Sequence, residues 1–284
     1  MNISGGIIDT HVHYWNPGLL KYSWLKELPS LDRPFLPRDY SKASQFADIR
    51  KMVFVESGCD PGQSLAEVEW VSALGVEDSR IGGIVAHAPL EQGDAVREHL
   101  VQLSAMPLVK GVRRLLQGES GVDFCLHPDF IEGVRLLEEF NFSMDLCIRH
   151  DQLAAVTELV RKAPSVQFVL DHFGKPPVKS GSLEPWRSEL RGLAGLPNVS
   201  CKVSGLTTEA DWQTWSTNDL KPYFETVIEF FGPDRMIFGG DWPVCTLASE
   251  YSRWMDTVLA LTDSLSDDDR RKLFHSNAAK TYHL

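Results

Sequence analysis

Short apolar runs alternate along this chain with segments whose apolar positions recur every three or four residues. The runs over 6–13, 51–57, 81–87, 109–116, 142–149, 166–172, 199–204 and 235–241 read as β-strands. The segments between them read as amphipathic helices, because positions three and four apart share one helical face. Residues 64–74 show the pattern: Leu65, Val68, Val71 and Leu74 keep one stripe, and Ser64 with Glu67 predicts a capping box. Ile131, Val134, Leu137 and Phe140 repeat it. So do Leu153, Val156 and Val160 behind a cap at Asp151, and Leu220, Phe224, Val227 and Phe231 ahead of the last strand. Strands alternating with helices build a parallel sheet, and eight such units in 284 residues predict an α/β fold of the (β/α)8, TIM-like barrel type.

Two regions depart from the alternation. Residues 15–40, where the first βα loop belongs, carry Pro17, Pro29, Pro34 and Pro37 among the aromatics Trp15, Tyr22, Trp24 and Phe35. A long loop at a barrel mouth serves as a lid or a substrate wall. The plainer reading, preferred for most of these rings, is that they pin an ordered loop to the body. Residues 266–282 read as an extra C-terminal helix opened by Ser266 and Asp269. No internal repeat, low-complexity tract or linker interrupts the pattern, so residues 1–284 are expected to form one domain.

Composition narrows the function classes. With 43% hydrophobic residues the chain can bury a full core. Its first residues have neither a basic nor an apolar signal region, and no stretch approaches the roughly 18 apolar residues of a membrane span. Five cysteines, odd in number, scattered and without a CxxC, argue against a disulfide framework or a cysteine zinc site. The expectation is a cytoplasmic protein. A net charge of -11 disfavours nucleic acid and anionic membranes, which select for clustered Lys and Arg. The expected partner is a small molecule; oligomeric state leaves no mark on the sequence.

Candidate chemistry begins at the first strand, which ends in His11 and His13. Alternation puts the two imidazoles on one side, with Asp9 behind them. Barrel chemistry sits where strands end. The polar residues collected there are His11, His13, Glu56, His87, Arg113, Arg114, Arg149, His150, Asp171, His172, Lys202, Ser204 and Asp241. Each strand directs only alternate residues inward, so one of Arg113 and Arg114 faces out. Lys202 and Asp171 fit a buried structural ion pair as well as a catalytic one.

Several of these residues stand in longer motifs: Asp9-Thr10-His11-Val12-His13, Asp171-His172-Phe173-Gly174-Lys175-Pro176, Cys201-Lys202-Val203-Ser204-Gly205 and Phe238-Gly239-Gly240-Asp241-Trp242-Pro243-Val244. Tyr22-Ser23-Trp24-Leu25 and Gly111-Val112-Arg113-Arg114-Leu115-Leu116-Gln117 accompany them. Together, nearly end to end, the chain resembles the amidohydrolase superfamily and, within it, the branch of sugar-acid lactonases. The resemblance implies that His11 and His13 are the strand-one pair, His172 the strand-six histidine, and Asp241 the strand-eight acid that activates water. Members with two metals use a bridging lysine or carboxylate at the end of strand four. Here that end reads Arg113-Arg114-Leu115-Leu116 and Lys110 lies too early, so a binuclear centre is not expected. A further departure is Glu56 in Val55-Glu56-Ser57-Gly58, a carboxylate where the branch has a more neutral residue.

The expected reaction is hydrolytic opening of a sugar-acid (aldono-) lactone. The alternative within the same superfamily is a metal-dependent decarboxylase or an amide hydrolase. Lactone hydrolysis needs a base for water, donors for the oxyanion and an acid for the departing alkoxide. Asp241 suits the first and last, and His11, His13 and His172 the second. No GxSxG elbow suggests a covalent acyl-enzyme. Arg113, with its two-pronged donor, Glu56, and the rings of Trp24 and Trp242 are the expected substrate contacts. His11, His13 and Asp241 also make an optional mononuclear site for zinc or manganese, and the resemblance implies that no cofactor is required.

Overall fold

The protein is described from a computed structural model, over residues 3–284. Eight strands follow one another around a sheet in chain order: β1 Ile7–Val12, β2 Ile49–Val55, β3 Ile81–His87, β4 Val109–Arg113, β5 Ser143–Leu146, β6 Phe168–Leu170, β7 Val199–Val203 and β8 Met236–Phe238. Each pairs in parallel with the next. Helices fill the connections, giving a (β/α)8 barrel with the expected long first βα loop and helical tail.

The barrel closes just past β8. The Asp241 amide donates to His11 O at 2.8 Å and the His13 amide to Trp242 O at 2.7 Å. Gly239 and Gly240 permit that approach. A Cβ on Gly239 would lie 2.8 Å from His11 Cβ, and one on Gly240 would lie 2.3 Å from the Tyr251 ring and 2.5 Å from Asp9 Oδ2.

Alternation sorts the strand side chains into two apolar layers. Ile8, Val53, Val55, Val85, Val169 and Ile237 point into the barrel, where Ala278 and Tyr282 of the helical tail join them as a floor. Phe54, Ile84, Val112, Met144, Phe168, Leu170 and Phe238 face the surrounding helices. Sealing each such side chain from water contributes about 1.5–3 kcal/mol.

Strand one breaks the rule, and one expectation with it. Between Asp9 and Val12 the register against β2 slips. With Ile8 inside, Asp9 faces outward and the extra residue after it puts His11 on the opposite side; the Asp9 carboxylate accepts from Tyr40 and Tyr251, each at 2.8 Å, and from the Gly240 amide at 2.7 Å. Asp9 therefore does not stand behind the histidines; it ties β1 to two helices and to the β8 turn.

Two caps also differ. The helix Ser64–Glu77 has no side-chain cap, because Glu67 turns inward to accept from the Ser57 amide at 3.3 Å. Asp151 lies in a short 3-10 turn ahead of the helix Leu153–Lys162 and pairs with Arg149. The tail cap forms as read: Ser266 Oγ accepts from the Asp269 amide at 3.1 Å. In the first loop, Trp15 and Phe35 pair as an antiparallel bridge, and the Trp15 indole donates to Leu31 O and Arg33 O at 3.1 and 2.9 Å. Those rings do pin the loop. No helix among the described residues is long and apolar enough to cross a membrane.

Candidate active site

At the C-terminal mouth of the barrel, three imidazoles surround one carboxylate oxygen. Asp241 Oδ1 lies 3.7 Å from His11 Nε2, 3.6 Å from His13 Nε2 and 4.0 Å from His172 Nε2. All four side chains are almost sealed from solvent. The slip in β1 aims His11 inward, and His13 is held by a 2.8 Å hydrogen bond from its Nδ1 to Val55 O. His172 Nδ1 is 2.8 Å from Ser204 Oγ.

Strained backbone presents two of the four. His172, Phe173, Gly174 and Lys175 run through left-handed conformation with φ of 51, 58, 69 and 50°, and Asp241 has φ 54°. Each such non-glycine residue costs on the order of 1–3 kcal/mol, which points to function rather than folding.

Electrostatics sets protonation. Burial alone would raise the Asp241 carboxyl, but attraction to His172, His13 and His11 outweighs it and holds the group well below the usual carboxylate range. Burial lowers the His172 imidazole to about 4, and lowers His11 well below its ordinary value. At neutral pH both rings are neutral and Asp241 is a carboxylate.

Beneath these residues lies a layer of buried charge. Lys202 Nζ donates to Asp145 Oδ2 at 2.6 Å, sits 2.9 Å from Asp171 Oδ1 and reaches His11 Nδ1 at 3.2 Å. Arg113 donates to Glu56 Oε1 at 2.8 Å, to Glu56 O at 2.7 Å and to Asp171 Oδ2 at 3.1 Å. Arg113 is thus the inward arginine of its pair. Arg114 faces out to Glu91 and Glu119. The forked donor expected to reach substrate is committed to two carboxylates of the protein, and Glu56 is equally occupied, accepting also from the Gly58 amide.

The two tryptophans sit apart from one another. Trp242 is 3% exposed and wedged among Tyr14, Phe35 and Tyr40, so its ring is part of the wall rather than an open stacking face. Trp24 is half-buried at the rim, its indole donating to Ser57 O at 2.8 Å.

Sequence reading missed Asp145 and Tyr282. Asp145 carries a signal, a lone acid inside the apolar run Ser143-Met144-Asp145-Leu146; Tyr282 carries none.

The donor set fits a divalent cation. Tetrahedral zinc with bonds of about 2.0–2.1 Å keeps its donors roughly 3.4 Å apart. Here His11 and His13 Nε2 are 3.1 Å apart and the distances to Asp241 are those given above. His172 groups with His11 and Asp241 as a possible ligand set, a set that has His172 where the sequence expectation had His13. Charge agrees: of six buried carboxyl groups, the four around the site (Glu56, Asp145, Asp171, Asp241) face the cations Arg113 and Lys202, leaving two negative charges over there. A second grouping, Cys147 with Asp171 and His172, is a poor cation cradle because Lys202 and Arg113 already neutralise Asp171.

A parallel barrel whose strand ends gather histidines and an aspartate around one point is the architecture of a metal-type hydrolase. Residues 8–284 match the family model described as Amidohydrolase, and the chain belongs to that family. It is a hydrolase of the amidohydrolase superfamily. It is 31% identical to the L-fucono-1,5-lactonase of Burkholderia multivorans (strain ATCC 17616 / 249), over 98% of this chain and 96% of that one. It is 28% identical to the L-rhamnono-gamma-lactonase of Scheffersomyces stipitis, over 72% of this chain and 69% of that one. Among solved structures, an amidohydrolase from Burkholderia multivorans with bound zinc superposes with a TM-score of 0.87 at 29% identity, covering 98% of this chain and 99% of that one.

Proposed function

We propose that this chain opens the ring of a sugar-acid (aldono-) lactone by direct attack of water, within carbohydrate catabolism. The observation that carries the reading is the placement of Asp241 Oδ1 within 3.6–4.0 Å of three imidazole nitrogens, in a chain whose relatives are named lactonases. Five unpaired cysteines fit action in a reducing cytoplasm.

A water lodged against Asp241 gives it a proton as the water oxygen bonds to the lactone carbonyl carbon. The carbonyl π electrons move onto oxygen, and histidine N–H groups facing the site receive the developing charge. When the carbonyl re-forms, the ring C–O bond breaks and Asp241 returns the proton to the departing alkoxide, leaving a hydroxy acid. A carboxyl held low in pKa is a weak base, so the attack relies on the activated ester; the same property makes it a ready acid for the second step. A divalent ion held by His11, His13, His172 and Asp241 would supply Lewis-acid polarisation of the carbonyl. Such an ion is optional in this reading, because water, Asp241 and the histidine N–H groups already account for every proton moved. Trp24 at the rim supplies the ring against which a sugar face stacks.

The test is a panel of aldonolactones, simple amides and a β-keto acid in weakly buffered indicator solution, with and without a chelator. Acid release is expected with the lactones. If all of them are inert while an anilide or the β-keto acid turns over, the reading fails.

A further inference from the structure

Beside Asp241 the mouth holds an ammonium and a carboxyl group that stop short of each other. Lys175 ends the left-handed turn that begins at His172, and its amide donates to His172 O at 2.8 Å. Glu209 ends the short helix Leu206–Glu209, which follows β7 and packs against the turn Val244–Leu247 just past Asp241. Lys175 Nζ and Glu209 Oε1 are 3.9 Å apart, and the two side chains are 20% and 27% exposed. Burial raises the Glu209 carboxyl above its ordinary range, Lys175 lowers it and Asp241 raises it again, so the pair lies within reach of the Asp241 charge.

The hydrogen bonds around this pair are incomplete. Lys175 gives one of its N–H groups to Gln117 Oε1 at 2.5 Å and has two more to give. Glu209 accepts no side-chain or backbone hydrogen bond among the described residues. A separation of 3.9 Å is too long for a direct bond, yet an oxygen lying off the line between the two atoms can sit within about 2.9 Å of both. That oxygen must accept from the ammonium and donate to the carboxylate. A hydroxyl does both, a carboxylate only accepts, and a methylene does neither. The nearby arginines do not change the balance. Arg113 is engaged by Glu56 and Asp171, Arg114 by Glu91 and Glu119, and Arg149 by Gln117 O and Asp151. An anionic ring substituent would meet Glu209 and Asp241 with these three guanidinium groups already taken.

We propose that Lys175 and Glu209 determine specificity by reading one ring hydroxyl of the substrate, so that the mouth takes a neutral polyhydroxylated lactone and rejects one that carries a carboxylate on the ring. The inference rests on the lactonase reading for its reaction and adds the groups that choose among lactones. A hydroxyl bonded to charged partners on both sides is discriminated strongly from its absence, because the deoxy compound leaves those partners unpaired in a half-buried site.

The test crosses substrate with enzyme. Values of kcat/KM are measured for an aldonolactone, its monodeoxy analogues and a ring-carboxylated lactone, in wild type, Lys175→Met and Glu209→Met. With wild type, one deoxy analogue is expected to lose on the order of 10- to 100-fold. Either variant should lose a similar factor on the parent lactone and almost nothing more on that analogue, because both deletions remove the same contact. Glu209→Gln, which sets a second donor beside Lys175, should raise turnover of the carboxylated lactone relative to the parent. Losses that multiply across the whole panel would make the pair structural and overturn the proposal, as would variants that match wild type on every lactone. A second readout needs no chemistry. Binding of a 1,5-anhydroalditol, which has the ring hydroxyls and no carbonyl to attack, is followed by calorimetry, and each Met variant is expected to weaken it on the order of 10-fold. A chain that opens no lactone yet shows this difference sinks the lactonase reading and leaves the proposal standing. Lactones opened with multiplying losses do the reverse, and a chain that neither opens a lactone nor holds the anhydroalditol overturns both.

Discussion

Asp241 is the residue on which the proposed chemistry turns, and its surroundings separate two roles. Its side chain takes no hydrogen bond from the helices, whereas its amide donates to His11 O at 2.8 Å and closes the barrel whatever the side chain is. Asp241→Asn should therefore leave the melting temperature nearly unchanged while kcat falls on the order of 10²- to 10⁴-fold. A variant that melts early yet keeps its kcat per folded molecule would make Asp241 structural. Arg113 is the opposite case. Arg113→Met strands Glu56 as an unpaired buried charge and leaves Asp171 to Lys202 alone, a loss of about 3–5 kcal/mol, to be read as a shifted urea midpoint. A stable variant with a raised KM would return Arg113 to the substrate contacts that its sequence position suggested. Glu67 gives a pH test. Burial first, then the nearby Glu56 charge, pushes its carboxyl from the ordinary 4.5 up to about 8. The folded state then binds more protons than the unfolded state between those values, so this contribution is whole below the lower value and lost as pH rises through the higher. Glu67→Gln should flatten the fall in stability between about pH 4.5 and pH 8, and parallel slopes for variant and wild type would refute it. What the sequence showed at this scale was residue type and strand end: His11, His13, His172 and Asp241 meet as their positions implied. Partnership was not legible, because Tyr282 lies 137 residues from Asp145 and no local pattern links them.

Elements were legible where period decides and illegible where a single residue breaks it. Apolar runs marked all eight strands, although β6 and β8 keep only three regular residues each, since their polar ends bend into left-handed turns at His172 and Asp241. The slip in β1 is invisible to a period-two reading, which put Asp9 with the histidines when it belongs with Tyr40 and Tyr251. The capping box at Ser64 failed for a related reason: Glu67 had a buried amide, Ser57, within reach, and tertiary contact overrode a local motif. Gly240 tests the closure. A methyl there meets the Tyr251 ring at 2.3 Å and Asp9 Oδ2 at 2.5 Å, so Gly240→Ala must push β8 away from β1. The expected cost is about 1–3 kcal/mol in stability, with kcat falling too because Asp241 is the next residue. Wild-type melting and turnover in this variant would mean that the seam is not held as described.

For the whole molecule, two features of the interior pull on the same question. The four buried carboxylates around the site (Glu56, Asp145, Asp171, Asp241) exceed Arg113 and Lys202 by two negative charges, which favours a divalent ion at the histidines. Against that, His11 already has cations on both sides, Lys202 Nζ 3.2 Å from Nδ1 and an Arg113 guanidinium nitrogen 3.4 Å from Nε2. An ion that binds only the folded state adds stability by mass action, whereas the proton in the proposed reaction travels between water, Asp241 and the alkoxide. Occupancy and turnover should therefore separate. Chelation is expected to lower the melting temperature of any metal-loaded preparation while most of the acid release from lactones survives, and re-adding zinc or manganese should restore the melting temperature first. Elemental analysis run beside the chelated assay decides it. A stoichiometric ion whose removal abolishes turnover, with the fold still intact by circular dichroism, would show that carbonyl polarisation comes from the metal and not from the histidine N–H groups.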